Sequence, residues 1–189
     1  MIYRLDNVYD RSGDSAYDQV GLKSYAGAHL ALAEGARLAK TWSPLALRVY
    51  RKKGRRLPDL TMLTGYALIG TERAWELLAD VAGGAVEALP LQSGGEPWLA
   101  LNVVDVVEGL DRRSRVGGDW RRARLVFVRA RVAGRAIFKL ANVVHSPVFV
   151  GDAFKERVEA EGLEGLRFVP VGAKPKKRSA VKRRSTSRS

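Results

Sequence analysis

The chain has 189 residues, 46% of them hydrophobic, so it is long enough to bury a sizeable core within one domain. It contains no cysteine, which excludes disulfides and thiolate metal sites and is typical of a reducing cytoplasm. The formal net charge is +13. No window reaches the roughly 20 apolar residues of a membrane-spanning helix, and the first residues lack the apolar segment of a secretory signal. We therefore expect a cytoplasmic protein that does not contact membranes.

The first third of the chain predicts few regular elements. Residues 6–22 are rich in Asp, Ser and Gly and predict turns. An Ala-rich stretch at 24–39 predicts a helix. After Pro44, a β-branched and aromatic run predicts a strand at 45–51, and the basic segment 52–59 predicts a turn.

A helix is predicted at 72–82, after a short apolar run at 66–69. Thr71 is a favourable N-cap residue, and Gly83 is a favourable stop. The residues whose helical spacing predicts a buried face are Trp75, Leu78, Ala79 and Ala82.

Strands dominate the next part of the chain. Residues 86–91 and 97–107 flank a Gly-Gly turn and predict an antiparallel pair. The polar and basic residues 112–122 predict an exposed loop. The run 124–132 alternates with period two and predicts another strand.

The C-terminal part predicts strands at 136–142, 148–150 and 166–171. Between the last two, Asp152 predicts the cap of a helix that runs to about Glu161 and stops at Gly162, with Phe154 and Val158 pointing inward. Together these elements predict one α+β domain over residues 1–173, with a mostly antiparallel sheet and two or three helices.

Residues 174–189 predict a disordered basic tail, because they contain eight basic residues, no acid and few apolar side chains. One reading is weak, non-specific contact with a polyanion such as nucleic acid, and the other is a solvated tail without a dedicated role. The residues that would make the polyanion contact are Lys176, Lys177, Arg178, Lys182, Arg183 and Arg184.

Charge within the predicted domain is segregated. Residues 72–111 contain eight acids against one arginine, whereas residues 112–139 contain ten basic residues against one acid. The acidic segment either presents carboxylates and aromatic anchors to a partner, or lies against the basic segment and is neutralised within the chain. The candidate partner-binding residues are Glu87, Glu96, Trp98, Asp105, Glu108, Asp111 and Trp120.

No motif predicts catalysis, a metal or a cofactor. His29 and His145 have no acidic or sulfur ligand at metal-binding spacing, and Ser146 is next to His145 in sequence only. Neither a phosphate-binding glycine loop nor a nucleophile elbow is present. We expect the protein not to be an enzyme.

Six short motifs occur in an order that carries a family resemblance. They are Gly35 with Trp42-Ser43-Pro44, Pro58-Asp59, the Thr-capped helix TERAWELL, the strand from Asn102 to Asp111, Ile137-Phe138, and the unit from Val148 to Phe168 that contains GLEGLRF. The chain between Gly35 and Val171 thereby resembles immunity family eleven, the myxobacterial-type immunity proteins of polymorphic toxin systems.

The resemblance implies a non-catalytic protein whose partner is a cognate toxin, which it binds and neutralises. Neither the toxin, the stoichiometry nor the oligomeric state follows from the sequence. The alternative is a nucleic-acid-associated accessory protein that acts through the basic tail and the arginines of 112–135.

Overall fold

The structure is a computed structural model that describes residues 1–23, 28–117, 120, 122–143 and 145–172, with the backbone alone at 28–29. The predicted disordered tail lies outside these residues, as does the start of the helix predicted at 24–39. Within the described part of the chain, no helix is both long and apolar enough to cross a membrane.

The described residues form strands and helices that confirm the α+β class. The strands are β1 (Ile2–Asn7), β2 (Gln19–Leu22), β3 (Leu45–Tyr50), β4 (Leu60–Leu63), β5 (Ala67–Thr71), β6 (Val86–Gln92), β7 (Trp98–Val103), β8 (Val106–Val107), β9 (Ile137–Leu140), β10 (Phe149–Gly151) and β11 (Leu166–Val171). The helices are α1 (Ala28–Glu34), α2 (Glu72–Ala82), α3 (Arg129–Val132) and α4 (Asp152–Ala160).

The strands divide into two sheets. The six-stranded sheet has the order β2-β3-β6-β7-β5-β4, and the five-stranded sheet has the order β11-β1-β10-β9-β8. Pairing is antiparallel except between β3 and β6 and between β8 and β9, which run parallel. The expectation of mostly antiparallel pairing is therefore confirmed, but both sheets are mixed.

The main core lies between the two sheets. Alternate residues of β7 point to opposite faces: Leu99, Leu101 and Val103 enter this core together with the apolar faces of α2 and α4. Trp98 and Ala100 enter a second core on the outer face of the six-stranded sheet, where α1 also packs. A third cluster, built on Phe138 and Phe149, covers the outer face of the five-stranded sheet. Both faces of β7 are thus buried.

The N-terminal strand β1 was not predicted. It lies between β10 and β11, so its partners are about 150 residues away in sequence. Its residues alternate between two environments, with Tyr3 and Leu5 against the main core and Ile2 against the third cluster. Because Arg4 and Asp6 are charged, the apolar alternation that signals a strand is weak.

The predicted helices at 72–82 and after Asp152 are confirmed as α2 and α4. The Thr71 hydroxyl accepts a hydrogen bond from Ala74 N at 3.1 Å, which caps α2 as expected. On the predicted buried face, Leu78 and Ala82 are buried, but Trp75 is only partly so. The predicted cap of α4 was wrong by one residue: Gly151 is the N-cap, and Asp152 is the first helical residue.

The strand predicted at 124–132 was wrong. This segment makes only single bridges, Leu110 with Phe127 and Arg115 with Arg124, before it turns into α3. A continued strand would place the arginines of α3 on the same face as Leu125, which is buried in the third cluster. The helical turn instead buries Val132 and leaves Arg129 exposed.

Two close contacts, at Asn7 and at Gly165, lie where the sheets meet, and we call them together the inter-sheet contact. At the end of β1, the Asn7 side chain accepts hydrogen bonds from Met62 N at 2.8 Å and the Thr61 hydroxyl at 3.0 Å, and donates to the Met62 carbonyl at 2.9 Å. Before β11, Gly165 packs so closely that a Cβ there would lie 2.0 Å from the Leu60 carbonyl oxygen. Both contacts hold β4 against the five-stranded sheet.

The inter-sheet contact also explains two of the sequence motifs. The Asp59 carboxylate accepts a hydrogen bond from Glu164 N at 2.9 Å, and Leu60 N donates to the Glu164 carbonyl at 3.0 Å. A Cβ on Gly165 would also lie 2.4 Å from Pro58. The Pro58-Asp59 and GLEGLRF motifs therefore meet in space, although they lie over 100 residues apart in sequence.

Lys139 is buried on β9 with 1% of its surface exposed. Its ammonium group donates to the Leu32 and Ala33 carbonyls near the end of α1. Burial without a carboxylate partner in the described residues lowers the pKa of Lys139 from 10.5 to about 7. This side chain links α1 to the five-stranded sheet.

Substituting Gly165 by Ala should lower the free energy of unfolding by at least about 3 kcal/mol, because the new methyl group would meet backbone and proline atoms. Gly162 is the matched control: it also has a positive φ, but no atom lies within 4 Å of its Cβ position. Gly162→Ala should cost about 1 kcal/mol. Chemical denaturation measures both, and equal losses would contradict the close-contact argument.

The low pKa of Lys139 predicts a pH dependence of stability. Between pH 7 and the unfolded value near 10.5, the unfolded chain binds one more proton than the native one, so the free energy of unfolding rises with pH. We expect a gain of roughly 2 kcal/mol from pH 7 to 9, since each pH unit over which the proton difference is complete corresponds to about 1.4 kcal/mol. For Lys139→Met, the free energy of unfolding measured by denaturation should not rise over this pH range. An equal rise in both proteins would refute the lowered pKa of Lys139.

Candidate functional site

The structure pairs three of the predicted acidic residues, which lie just before and after β8, with arginines of the basic segment. Glu108 Oε2 lies 3.1 Å from an Arg131 guanidinium nitrogen, and Arg135 binds the Asp105 carboxylate. Arg113 donates to Asp111 through its side chain at 2.8 Å and its backbone at 2.9 Å. These hydrogen bonds lower the pKa of Asp111. This arrangement agrees with the reading in which the two segments neutralise each other.

The other predicted partner-binding residues are scattered. Glu87 is largely buried, and its carboxylate accepts hydrogen bonds from Leu38 N at 2.7 Å and from the Asn102 side chain at 3.1 Å. Trp98 has only 2% of its surface exposed and belongs to the second core, so it is not available to a partner in this state. Glu96 is exposed in the loop between β6 and β7. The six lysines and arginines of the tail lie outside the described residues.

Glu108 and Trp120 are the two predicted residues that the structure brings together, because both line one large cleft. The cleft has a volume of about 1190 Å³. Five segments line it: β1 from Arg4 onward with the residues after it, the end of β4 with the β4–β5 turn, the loop that follows β8, α3 through Arg131, and the loop between β9 and β10. Both sheets contribute, so the inter-sheet contact determines how far apart these walls stand. The cleft is the candidate functional site.

The backbone around the cleft is strained. Thr64, Asn142 and His145 have φ values of 49°, 59° and 53°, in the left-handed region that side chains disfavour. Among the described residues, these are the non-glycine positions with positive φ, and all three line the cleft. Strained residues concentrate at functional sites, where the surrounding structure holds them in place. The clustering is the reason to choose the cleft as the candidate site.

Aromatic and apolar side chains line the opening of the cleft. The Tyr66 and His145 rings stack with centroids 4.8 Å apart and planes 15° from parallel. Tyr9 and Val116 are each 41% exposed, and we call these two residues the cleft rim. Trp120 packs its ring edge-on against Phe149 at 6.2 Å. Exposed aromatic residues beside a concave surface are typical of protein interfaces.

The chemistry of the cleft favours binding. Ser146, adjacent to His145, is buried, and its hydroxyl accepts from Leu140 N at 2.9 Å and donates to the Pro147 carbonyl at 3.0 Å. Its hydroxyl therefore holds the loop between β9 and β10 through backbone groups, and these two hydrogen bonds do not involve His145. Within the described residues, no group of His, Asp or Glu side chains is arranged to hold a metal ion.

Sequence reasoning missed most of the cleft. Tyr9, Tyr66 and His145 come from three distant segments, so no local spacing could join them. The one local signal is Thr64-Gly65, a turn sequence between two apolar runs.

Comparison with known proteins gives one match. A family model described as Immunity protein family (Imm11) matches residues 18–173. The match begins earlier than the Gly35 expected from the motifs, so it also includes β2 and α1. No curated protein matches the chain.

The strain at Thr64 predicts a stabilising substitution. Thr64 and Gly65 both have positive φ, and Tyr66 N bonds the Leu63 carbonyl at 3.2 Å, as in a tight hairpin turn that favours Asn-Gly. Thr64→Asn should raise the free energy of unfolding by about 0.5–1 kcal/mol, since Asn tolerates this backbone better than a β-branched residue. A lower denaturation midpoint would instead show that the Thr64 side chain stabilises the turn.

Proposed function

Since the chain belongs to the immunity protein family Imm11, we propose that it binds a cognate toxin domain of a polymorphic toxin system in the cytoplasm and neutralises it without catalysing a reaction. Binding would block the toxin sterically or electrostatically. We choose the cleft as the binding surface because strained backbone and exposed aromatic residues coincide there.

The cleft suits a protein partner. Its walls are loops and a turn, which are the parts of a fold that carry binding residues on a rigid scaffold. The rim offers Tyr9 and Val116 as apolar contact area, and Tyr66 with His145 provides a flat stacked surface. An inserted loop of the toxin would bury these side chains, which is how interface hot spots gain most of their binding energy.

The acidic segment is the weaker candidate surface. Three of its carboxylates, on Asp105, Glu108 and Asp111, already bind arginines of the same chain. A cationic group of the partner would have to displace these arginines. The ion pairs lost within the chain would then offset part of the energy of the new ion pairs. Glu108 keeps a role because it lies in the wall of the cleft.

The nucleic-acid alternative draws on the arginines of 112–135. Arg113, Arg131 and Arg135 are paired with carboxylates of the chain, which lowers the positive potential that this segment presents. A salt titration of DNA binding, with and without residues 174–189, separates the alternatives. If deletion of the tail abolishes DNA affinity while protection against the toxin persists, nucleic-acid binding is incidental to the main function.

The proposed binding surface predicts a loss of protection when the rim is charged. Tyr9→Asp combined with Val116→Asp should weaken toxin binding roughly tenfold or more, since truncated hot-spot residues cost upwards of about 1.4 kcal/mol. The measurement is survival of bacterial cells that co-express the toxin domain encoded beside this gene, together with calorimetric titration of the purified pair.

Tyr50→Asp is the matched control, because Tyr50 is an exposed tyrosine on β3 that does not line the cleft. It should leave survival and affinity unchanged. Full protection by the folded double variant would exclude the cleft as the binding surface, and absence of protection by the natural protein would exclude this toxin as its partner.

A further inference from the structure

The floor of the cleft contains a buried guanidinium. Arg4 lies in the middle of β1, and its side chain is 9% exposed. One terminal nitrogen donates to the Trp120 carbonyl at 2.7 Å, which fixes the guanidinium on the side of β1 that faces the cleft. A buried side chain held in this way is preorganised and has little rotamer freedom to lose on binding.

Arg4 is incompletely paired. A guanidinium has five N–H donors, and within the described residues that of Arg4 makes one hydrogen bond, to Trp120. The neighbouring carboxylate, Asp6, lies 3.6 Å away, beyond hydrogen-bonding distance. Asp6 is instead bound by Arg167 at 2.7 Å and by Asn7 N at 3.0 Å. The donors of Arg4 are thus available to a group that enters the cleft.

Among the described residues around Arg4, positive charges exceed negative ones by one, because Arg4 shares the Asp6 carboxylate with Arg167, which lies outside the cleft lining. Arg131 and Glu108 in the opposite wall compensate each other at 3.1 Å. An entering carboxylate could accept from the guanidinium in the two-pronged geometry that arginine favours.

The rest of the lining favours a carboxylate on a protein loop over a phosphate backbone. The Asp6 and Glu108 carboxylates would repel a polyanion, which carries several negative charges, more strongly than a single carboxylate. A volume of about 1190 Å³ accommodates several residues, and the apolar rim suits the flanks of such a loop.

We propose that Arg4 is the receptor for an Asp or Glu side chain on an otherwise apolar loop of the partner, which enters the cleft between Trp120 and the Tyr66–His145 stack. This inference rests on the proposed function, because it identifies the chemistry of the toxin segment that the cleft accepts.

The first test uses the unmodified protein and two peptides, acetyl-Gly-Leu-Glu-Leu-Gly-amide and its Gln counterpart. NMR would follow the side-chain N–H signals of Arg4 and Trp120. The Glu peptide should shift both signals saturably in the millimolar range, and the Gln peptide should bind roughly tenfold more weakly. Equal binding of the two peptides, or no shift with either, would overturn the proposal.

A hexathymidine oligonucleotide provides a third arm of this titration. If it shifted the Arg4 and Trp120 signals at lower concentration than the Glu peptide, the occupant would be a polyanion and the proposal would be wrong. We expect no shift of these two signals with the oligonucleotide, because the cleft carries carboxylates of its own.

The second test is the protection assay with Arg4→Gln. Arg167→Gln is the matched control. Arg167 also pairs with Asp6, so its replacement removes the same positive charge, but Arg167 does not line the cleft. Arg4→Gln should lose protection and weaken toxin binding roughly tenfold or more, while Arg167→Gln keeps both. Circular dichroism confirms that each variant is folded.

The outcomes separate this inference from the proposed function. If the natural protein protects and folded Arg4→Gln protects equally well, the role of Arg4 is wrong and the immunity function stands. If the natural protein does not protect, the proposed function fails for that toxin, and the peptide titration decides the role of Arg4 independently.

Discussion

The close approach of Gly165 to the Leu60 carbonyl oxygen is the constraint on which the arrangement of the two sheets depends. A methyl group at this position would overlap backbone atoms, so the contact exists only because the residue is glycine. Together with the Asn7 hydrogen bonds to β4, it sets the distance between the sheets. That distance in turn positions β1 and the β4–β5 turn as facing walls of the cleft.

Local patterns in the sequence were sufficient for the elements whose partners are close by. The helices α2 and α4 and the strand β6 carry their own caps, turns and periodicity, and each was predicted within one or two residues. The strand predicted at 97–107 divides instead into β7, which ends at Val103, and β8, which belongs to the other sheet. The strand β1 was missed because it is held by strands near the other end of the chain. The segment 124–132 has the period of a strand, but the need to keep its arginines in solvent makes it turn.

The candidate site was harder to predict for the same physical reason. Glu108 and Trp120 were identified from charge and aromatic character, but Arg4, Tyr9, Tyr66 and His145 are joined only by the fold. Charge counts along the chain identify an acidic and a basic segment. They do not decide whether the carboxylates pair with arginines of the same chain or remain available to a partner. The structure pairs Asp105, Glu108 and Asp111 with arginines, and the guanidinium on the floor of the cleft, that of Arg4, comes from β1.

The residues of the inter-sheet contact and the residues of the cleft rim are different sets. Pro58, Asp59 and Gly165, which carry the motifs of the family, hold the sheets together, whereas Tyr9 and Val116 take no part in that contact. Substitutions at the rim can therefore change the shape and charge that the cleft presents while the contacts between the sheets stay the same. One scaffold thus permits many different rims.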